Sequence, residues 1–372
     1  MINNFFKDKV KENFPFELTH EQETALEKIV DFLFLKKEES IFLLKGFAGT
    51  GKSSLLGALV KTMTDFKQKT VLLAPTGRAA KVFSSYSNHP AFTIHKKIYR
   101  QQKYTGDYGS FGIMDNLHKD TLFIVDEASM ISNNGIDSSV FGTGRLLDDL
   151  IHYVYSGENC RLLLIGDTAQ LPPVGEEDSP ALQEAELQGY GLEVRNAMLS
   201  QIVRQAESSG ILYNATKIRN ALNKGKTEAY PKLNINKFTD IVRISGEDLI
   251  DEITATYDRD GLENTMVISR SNKRTNIYNQ GIRNRILYRE EELSAGDMLM
   301  ITKNNYYWAE NIENIDFLAN GEIVEVLRVR REQELYGFRF CDVLIKSIDY
   351  DTEIEVKILM DTIHSDTAGL TR

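Results

Sequence analysis

The sequence predicts an α/β protein organised around a parallel sheet with a phosphate-binding loop at its edge. Four short apolar runs support this, Ile41 to Leu44, Thr70 to Ala74, Leu122 to Val125 and Arg161 to Ile165, each rich in branched residues and set among helical stretches. Each run ends in a polar motif. Apolar strands without alternation, separated by helices, are what a sheet covered on both faces requires. In such sheets ligands bind beyond the carboxyl ends of the strands, where all four motifs fall.

The elements before the first strand follow from periodicity. Ala25, Leu26, Ile29, Val30 and Leu33 recur at helical spacing behind Thr19, a hydroxyl residue suited to capping the first turn. At 372 residues the chain exceeds the size at which one core keeps growing, so more than one domain is expected. No apolar run approaches the roughly 20 residues that span a bilayer, which excludes a membrane helix on sequence grounds. The opening residues lack the continuous apolar stretch of a secretory signal, and Cys160 and Cys341 stand far apart. A reducing cytoplasm is therefore expected, with neither a disulfide nor a zinc site. The net charge of -10 counts against coating nucleic acid by bulk electrostatics, so any such contact must be a local track.

Gly46-Phe47-Ala48-Gly49-Thr50-Gly51-Lys52-Ser53 follows the first strand and precedes a helical run from Ser54. Glycines at 46, 49 and 51 let backbone N–H groups curl toward phosphates, and the helix start behind them adds its positive dipole end. Lys52 is expected to reach the β- and γ-phosphates, and Ser53 to hold Mg2+. Thr50 and Ser54 complete the cradle. The third strand delivers Asp126 and Glu127, the first suited to the metal and the second to polarising an attacking water. A bland acidic strand end capping a helix is the alternative. Gln170, after the fourth strand, is a neutral amide suited to sensing a γ-phosphate; an ordinary turn is its alternative.

In order along the chain, these strings resemble superfamily-1B DNA helicases, the 5′-to-3′ branch of RecD, Dda and Pif-type proteins. The resemblance runs from Leu18 to about Arg285 and implies a RecA-like P-loop domain that uses ATP and Mg2+ and works on single-stranded DNA and fork junctions. Leu18-Thr19-His20-Glu21-Gln22 resembles the adenine-reading motif, with Gln22 as base contact. Ala74-Pro75-Thr76-Gly77-Arg78-Ala79-Ala80-Lys81 is similar to the motif that grips DNA, which implies contacts from Pro75, Thr76 and Arg78. Thr93 and His95 fall in the next such motif. Ser200-Gln201-Ile202-Val203-Arg204-Gln205 resembles the family's Arg-Gln element, which implies that Arg204 reaches the γ-phosphate, against the alternative of a surface arginine.

Tyr99 to His118 occupies the place of an arm that splits duplexes in relatives. Its rings at Tyr104, Tyr108 and Phe111 are wedge candidates; inward packing is the other reading. Val267 to Arg274 resembles the first motif of a second RecA-like domain. Gly296-Asp297-Met298 and Asn320-Gly321-Glu322 are similar to turns of an SH3-like insert. Expected domains are thus 1-210, the first motor domain with an arm at about 99-118; 211-290, a partial second RecA-like domain with strands at Ile241 to Ile244 and Met266 to Ser269; and 291-372, an all-β module.

The family's threonine-histidine-lysine-x-glutamine-glycine motif and its arginine-finger motif are not found. The sequence therefore reads as truncated within the second motor domain, binding ATP–Mg but turning it over weakly. Two further readings stay open: a RecD-like subunit (exodeoxyribonuclease V alpha) bound to recombination-complex partners, and a nucleotide-sensing P-loop ATPase that never touches DNA.

Overall fold

A computed structural model describes residues 2–35, 39–101, 111–135, 141–202, 209–223, 230–262, 264–303, 305, 307–309, 312, 315, 318, 321–348 and 350–365. The chain divides into two compact units, Met1–Glu207 and Ser208–Arg372. Among the described residues no helix is long and apolar enough to cross a membrane.

The first unit opens with α1 (Ile2–Asn13), which the sequence reading missed, and α2 (His20–Leu33). In α1, Phe6 and Val10 are four apart and bury one narrow stripe, which is thin evidence for a helix before its partner is known. The α2 start is a capping box: Thr19 Oγ1 accepts from Gln22 N and Gln22 Oε1 accepts from Thr19 N. Next come β1 (Ser40–Gly46), α3 (Lys52–Asp65), β2 (Lys69–Ala74), α4 (Gly77–Ser87), β3 (Ala91–Thr93) and α5 (Ile94–Ile98). A short antiparallel pair, β4 (Tyr99–Gln101) and β5 (Phe111–Ile113), leads to β6 (Thr121–Val125), α6 (Leu146–Tyr155), β7 (Arg161–Gly166), α7 (Glu184–Gly189) and β8 (Glu193–Leu199).

Six strands form one sheet in the order β3-β2-β6-β7-β1-β8, every pairing parallel. All four expected strands are present; β3 and β8 are additions at the two edges. Alternation in β1 divides the interior, since successive side chains leave a strand on opposite faces. Phe42 and Leu44 join α1 to α4 in one core, while Ile41 and Leu43 join α5 and α6 in the other. Arg161, the first residue of β7, donates to the carbonyls of Phe32 and Leu33 at 2.5 and 2.9 Å and also to that of Leu35. A guanidinium thus adds donors to the carbonyls at the C-terminal end of α2.

The second unit contains α8 (Gly210–Asn223), α9 (Leu249–Asp260) and α10 (Asn272–Arg285), then β9 (Met298–Met300), β10 (Ile323–Leu335), β11 (Phe338–Ser347) and β12 (Thr352–Leu359). The four strands form an antiparallel sheet in the order β12-β11-β10-β9 over a core of Val324, Val326, Val343, Ile345 and Ile354. Two expectations are corrected here. Ile241 to Ile244 and Met266 to Ser269 are not strands, so no second parallel sheet forms among the described residues. Val242, Met266 and Ile268 lie exposed; no neighbouring strand pairs with these segments, and without one a branched run gains nothing from extension. A helix does follow the latter, α10.

Candidate nucleotide site

The phosphate loop runs from the end of β1 to the start of α3. Gly49 and Gly51 have φ of +79° and +84°, left-handed geometry that side chains rarely adopt. A Cβ on Gly51 would also stand 2.4 Å from Gln22 Nε2. Thr50 is buried, and its hydroxyl donates to Phe47 O at 2.7 Å, tightening the turn. Lys52 Nζ donates to Gly46 O at 2.6 Å and Phe47 O at 2.9 Å, so the ammonium lies across the mouth of the loop. Ser53 and Ser54 sit in the first turn of α3, whose N-terminus has no side-chain cap. That leaves its N–H groups facing the loop, where an anion is favoured.

Gln22 lies behind this loop. Its Nε2 donates to Thr50 O at 2.9 Å while its Oε1 is engaged at Thr19 N. One end of the amide therefore braces the loop while the other is held by the cap of α2. Beside it, the Glu21 carboxylate accepts from Ser200 N at 2.6 Å and Gln201 N at 2.8 Å, fixing the entry to the Arg-Gln element. Burial pushes the Glu21 carboxyl up, but bonds from the Ser200 hydroxyl and the Gln201 and Ser200 amides leave it below its usual range. Arg204 itself lies outside the described residues.

The carboxyl end of β6 supplies the acidic pair. Asp126 Oδ1 accepts from Glu127 N at 2.9 Å, and Asp126 Oδ2 accepts from the Tyr86 hydroxyl at 2.6 Å. Glu127 takes a left-handed φ of 54° at the strand-to-turn junction. Burial, and then the Asp126 charge, raise its carboxyl above the usual value, while Gln170 and Lys52 pull the other way. Gln170 accepts from Ser129 Oγ at 2.9 Å, which holds its amide on the turn after β7. Asp167, buried, holds that turn by accepting from Ala169 N at 2.8 Å.

These side chains form one constellation at the sheet's carboxyl edge. Mg2+ takes oxygen ligands, and Ser53 at the start of α3 and Asp126 at the end of β6 offer a hydroxyl and a carboxylate. The glycine cradle, which a Cβ would fill, fits a polyphosphate.

Neighbouring motifs take defined places. Thr76 caps α4 by accepting from Ala79 N at 3.2 Å; Pro75 is half-buried and Arg78 exposed at the same helix start. Thr93 is buried and caps α5 through Lys96 N at 3.1 Å. His95 packs against Tyr99 and Phe141, with ring centroids 5.6 and 5.0 Å away. Desolvation drives its imidazole down to about 4, against an opposing pull from Asp149. Phe111 is half-buried in β5 with its ring 4.9 Å from Phe141. Tyr104, Tyr108 and Asn320 lie outside the described residues.

The sequence profile described as an AAA domain matches residues 17–242, well over half of the chain. The chain belongs to this AAA-domain family, as a superfamily-1B RecD/Pif-type member. It is 29% identical over 201 residues to the ATP-dependent RecD2 DNA helicase of Deinococcus radiodurans, covering 53% of this chain and 23% of that protein. It is 31% identical over 172 residues to the ATP-dependent DNA helicase PIF7 of Trypanosoma brucei brucei, covering 43% of this chain and 15% of that one. The matches thus span a quarter or less of those proteins' lengths. A Pif1 helicase structure from Bacteroides with ADP-AlF3 and ssDNA aligns over 91% of this chain and 74% of that one, at 16% identity and a TM-score of 0.39.

In this RecD/Pif-type site, three residues escaped the sequence reading: Glu21, Tyr86 and Ser129. Glu21 acts across 179 positions and Tyr86 across 40. Nothing in local spacing announces either; Glu21 carried one signal, its place beside Gln22.

Proposed function

We propose that this chain is the motor of an ATP-dependent DNA helicase or translocase of the RecD/Dda type, moving 5′-to-3′ on single-stranded DNA. One observation carries the reading: Lys52, Ser53, Asp126, Glu127 and Gln170 converge at the edge of the sheet from which the α4 helix start, with exposed Arg78, also projects. Lys52 and the loop amides would bind the β- and γ-phosphates, and Ser53 and Asp126 would hold the cation. Bound Mg2+ would neutralise charge developing on the phosphates. Glu127, whose carboxyl is raised, suits acceptance of a proton from the attacking water. The loop brace from Gln22 holds the cradle in shape.

Single-stranded DNA is the partner, gripped by Thr76 and Arg78, and polarity rests on the resemblance. The arm around β4 and β5 would meet duplex or fork junctions. Two buried free thiols fit a reducing compartment, and we place the protein in the cytoplasm.

The test measures ATP turnover with and without oligo-dT, for wild type and Lys52→Ala. Stimulation by oligo-dT and its loss in Lys52→Ala are expected. A folded wild type whose turnover ignores DNA would leave a nucleotide sensor as the better description.

A further inference from the structure

We infer that Tyr86 is a positioning residue that links the DNA-gripping helix to the cation side of the nucleotide site. The inference rests on the ATP and DNA reading above. Its hydroxyl donates to Asp126 Oδ2 at 2.6 Å, so one O–H group fixes the carboxylate that would hold Mg2+. Tyr86 does not belong to β6, the strand that delivers Asp126. It stands on α4, the helix that Thr76 caps and that begins at Gly77 and Arg78.

The surrounding packing makes this joint stiff. The Tyr86 ring stacks on Phe83, with centroids 5.2 Å apart and planes 24° from parallel, and Phe83 is fully buried. Helix α3, which starts with Lys52 and Ser53, meets α4 backbone to backbone: a Cβ on Gly57 would lie 3.0 Å from Tyr86 O. Displacement of α4 by a strand held at its N-terminus is therefore transmitted to Asp126 through the hydroxyl. Coupling of this kind is reciprocal: if DNA alters cation-dependent nucleotide affinity, nucleotide alters DNA affinity by the same factor.

Tyr86→Phe removes the hydrogen bond to Asp126 and keeps the ring on Phe83. The experiment measures calorimetric affinity of the full chain for a non-hydrolysable ATP analogue, in excess Mg2+ and in EDTA, each with and without oligo-dT. In wild type with Mg2+, oligo-dT is expected to shift affinity by about fivefold or more, the low end of ordinary allosteric coupling. In Tyr86→Phe that shift falls to within about twofold of unity, while affinity in EDTA and thermal stability stay at wild-type values. A variant that keeps the full shift overturns the inference, as does a wild type that binds both ligands without any shift. Wild type that takes up no analogue at all defeats the ATP reading beneath it, a result distinct from either of those.

Discussion

Ile41 to Leu44 and Met266 to Ser269 are similar apolar tetrads with opposite fates. The first has β7 on one edge and β8 on the other, helices over both faces, and all four side chains fully buried. The second has no strand partner among the described residues, with Met266 72% and Ile268 86% exposed. Branched residues thus state a preference that only neighbours can realise. The lesson concerns tertiary context, since the two runs differ little in local propensity.

The largest expected effect lies in the tetrad that found its neighbours. Phe42→Ala should cost the first unit about 4 kcal/mol in urea denaturation, as for other large-to-small changes in a closed core. A loss below about 1 kcal/mol would mean that the two-faced sheet is not the source of stability. The second unit's equivalent is ionic. Asp297, buried, accepts from Arg283 Nε and Nη2 at 3.0 and 2.8 Å, from Arg289 Nη1 at 2.6 Å and from Ser294 N at 2.8 Å. Burial raises its carboxyl, and Arg283, Ser294 and Arg289 together more than reverse this. Asp297→Asn should destabilise that unit by about 3 kcal/mol, because two guanidinium groups lose their counter-charge.

A smaller effect reports on packing beside the sheet. His95 titrates at about 4 in the fold against an ordinary value near 6.5, so the unfolded chain binds the extra proton between those limits. Its contribution is present above pH 6.5 and is lost as pH falls toward 4. Denaturation midpoints across that window should fall less steeply for His95→Gln than for wild type; equal slopes would show that the ring is hydrated. Smallest of all, Ile268→Ser should change stability by no more than about 0.5 kcal/mol. A larger loss would show that this segment is covered in solution, and the contrast between the tetrads would then narrow.

The first unit's sheet was largely legible because its strands announce themselves twice, by an apolar run and by the motif at its end. The edge strands β3 and β8 lacked one signal or the other: β3 has three residues, and β8 reads Glu-Val-Arg-Asn-Ala-Met-Leu, half polar because it has a neighbour on one side only. In the second unit, alternation in β10 to β12 was readable for the same reason that Met266 to Ser269 misled. Period-two patterns identify a half-buried strand, whereas an unbroken apolar run identifies nothing until something covers it. The motif residues Lys52, Ser53, Asp126, Glu127 and Gln170 lie at strand ends of the first unit's sheet, and spacing alone gives that much. Tyr86 and Glu21 act through space on partners far along the chain, and His95, read as a DNA contact through resemblance, packs among aromatic rings.

The amide of Gln22 fills the space that a side chain at position 51 would need, so two distant positions constrain each other. Residue 51 answers two demands at once, a left-handed backbone and clearance from that amide. Shrinking residue 22 relieves only the crowding, so Gly51→Ala combined with Gln22→Ala would still carry the roughly 1–2 kcal/mol conformational penalty of a left-handed alanine. Variation at 51 is thus closed from two directions, while variation at 22 remains open provided the helix before the first strand finds another way to steady the loop.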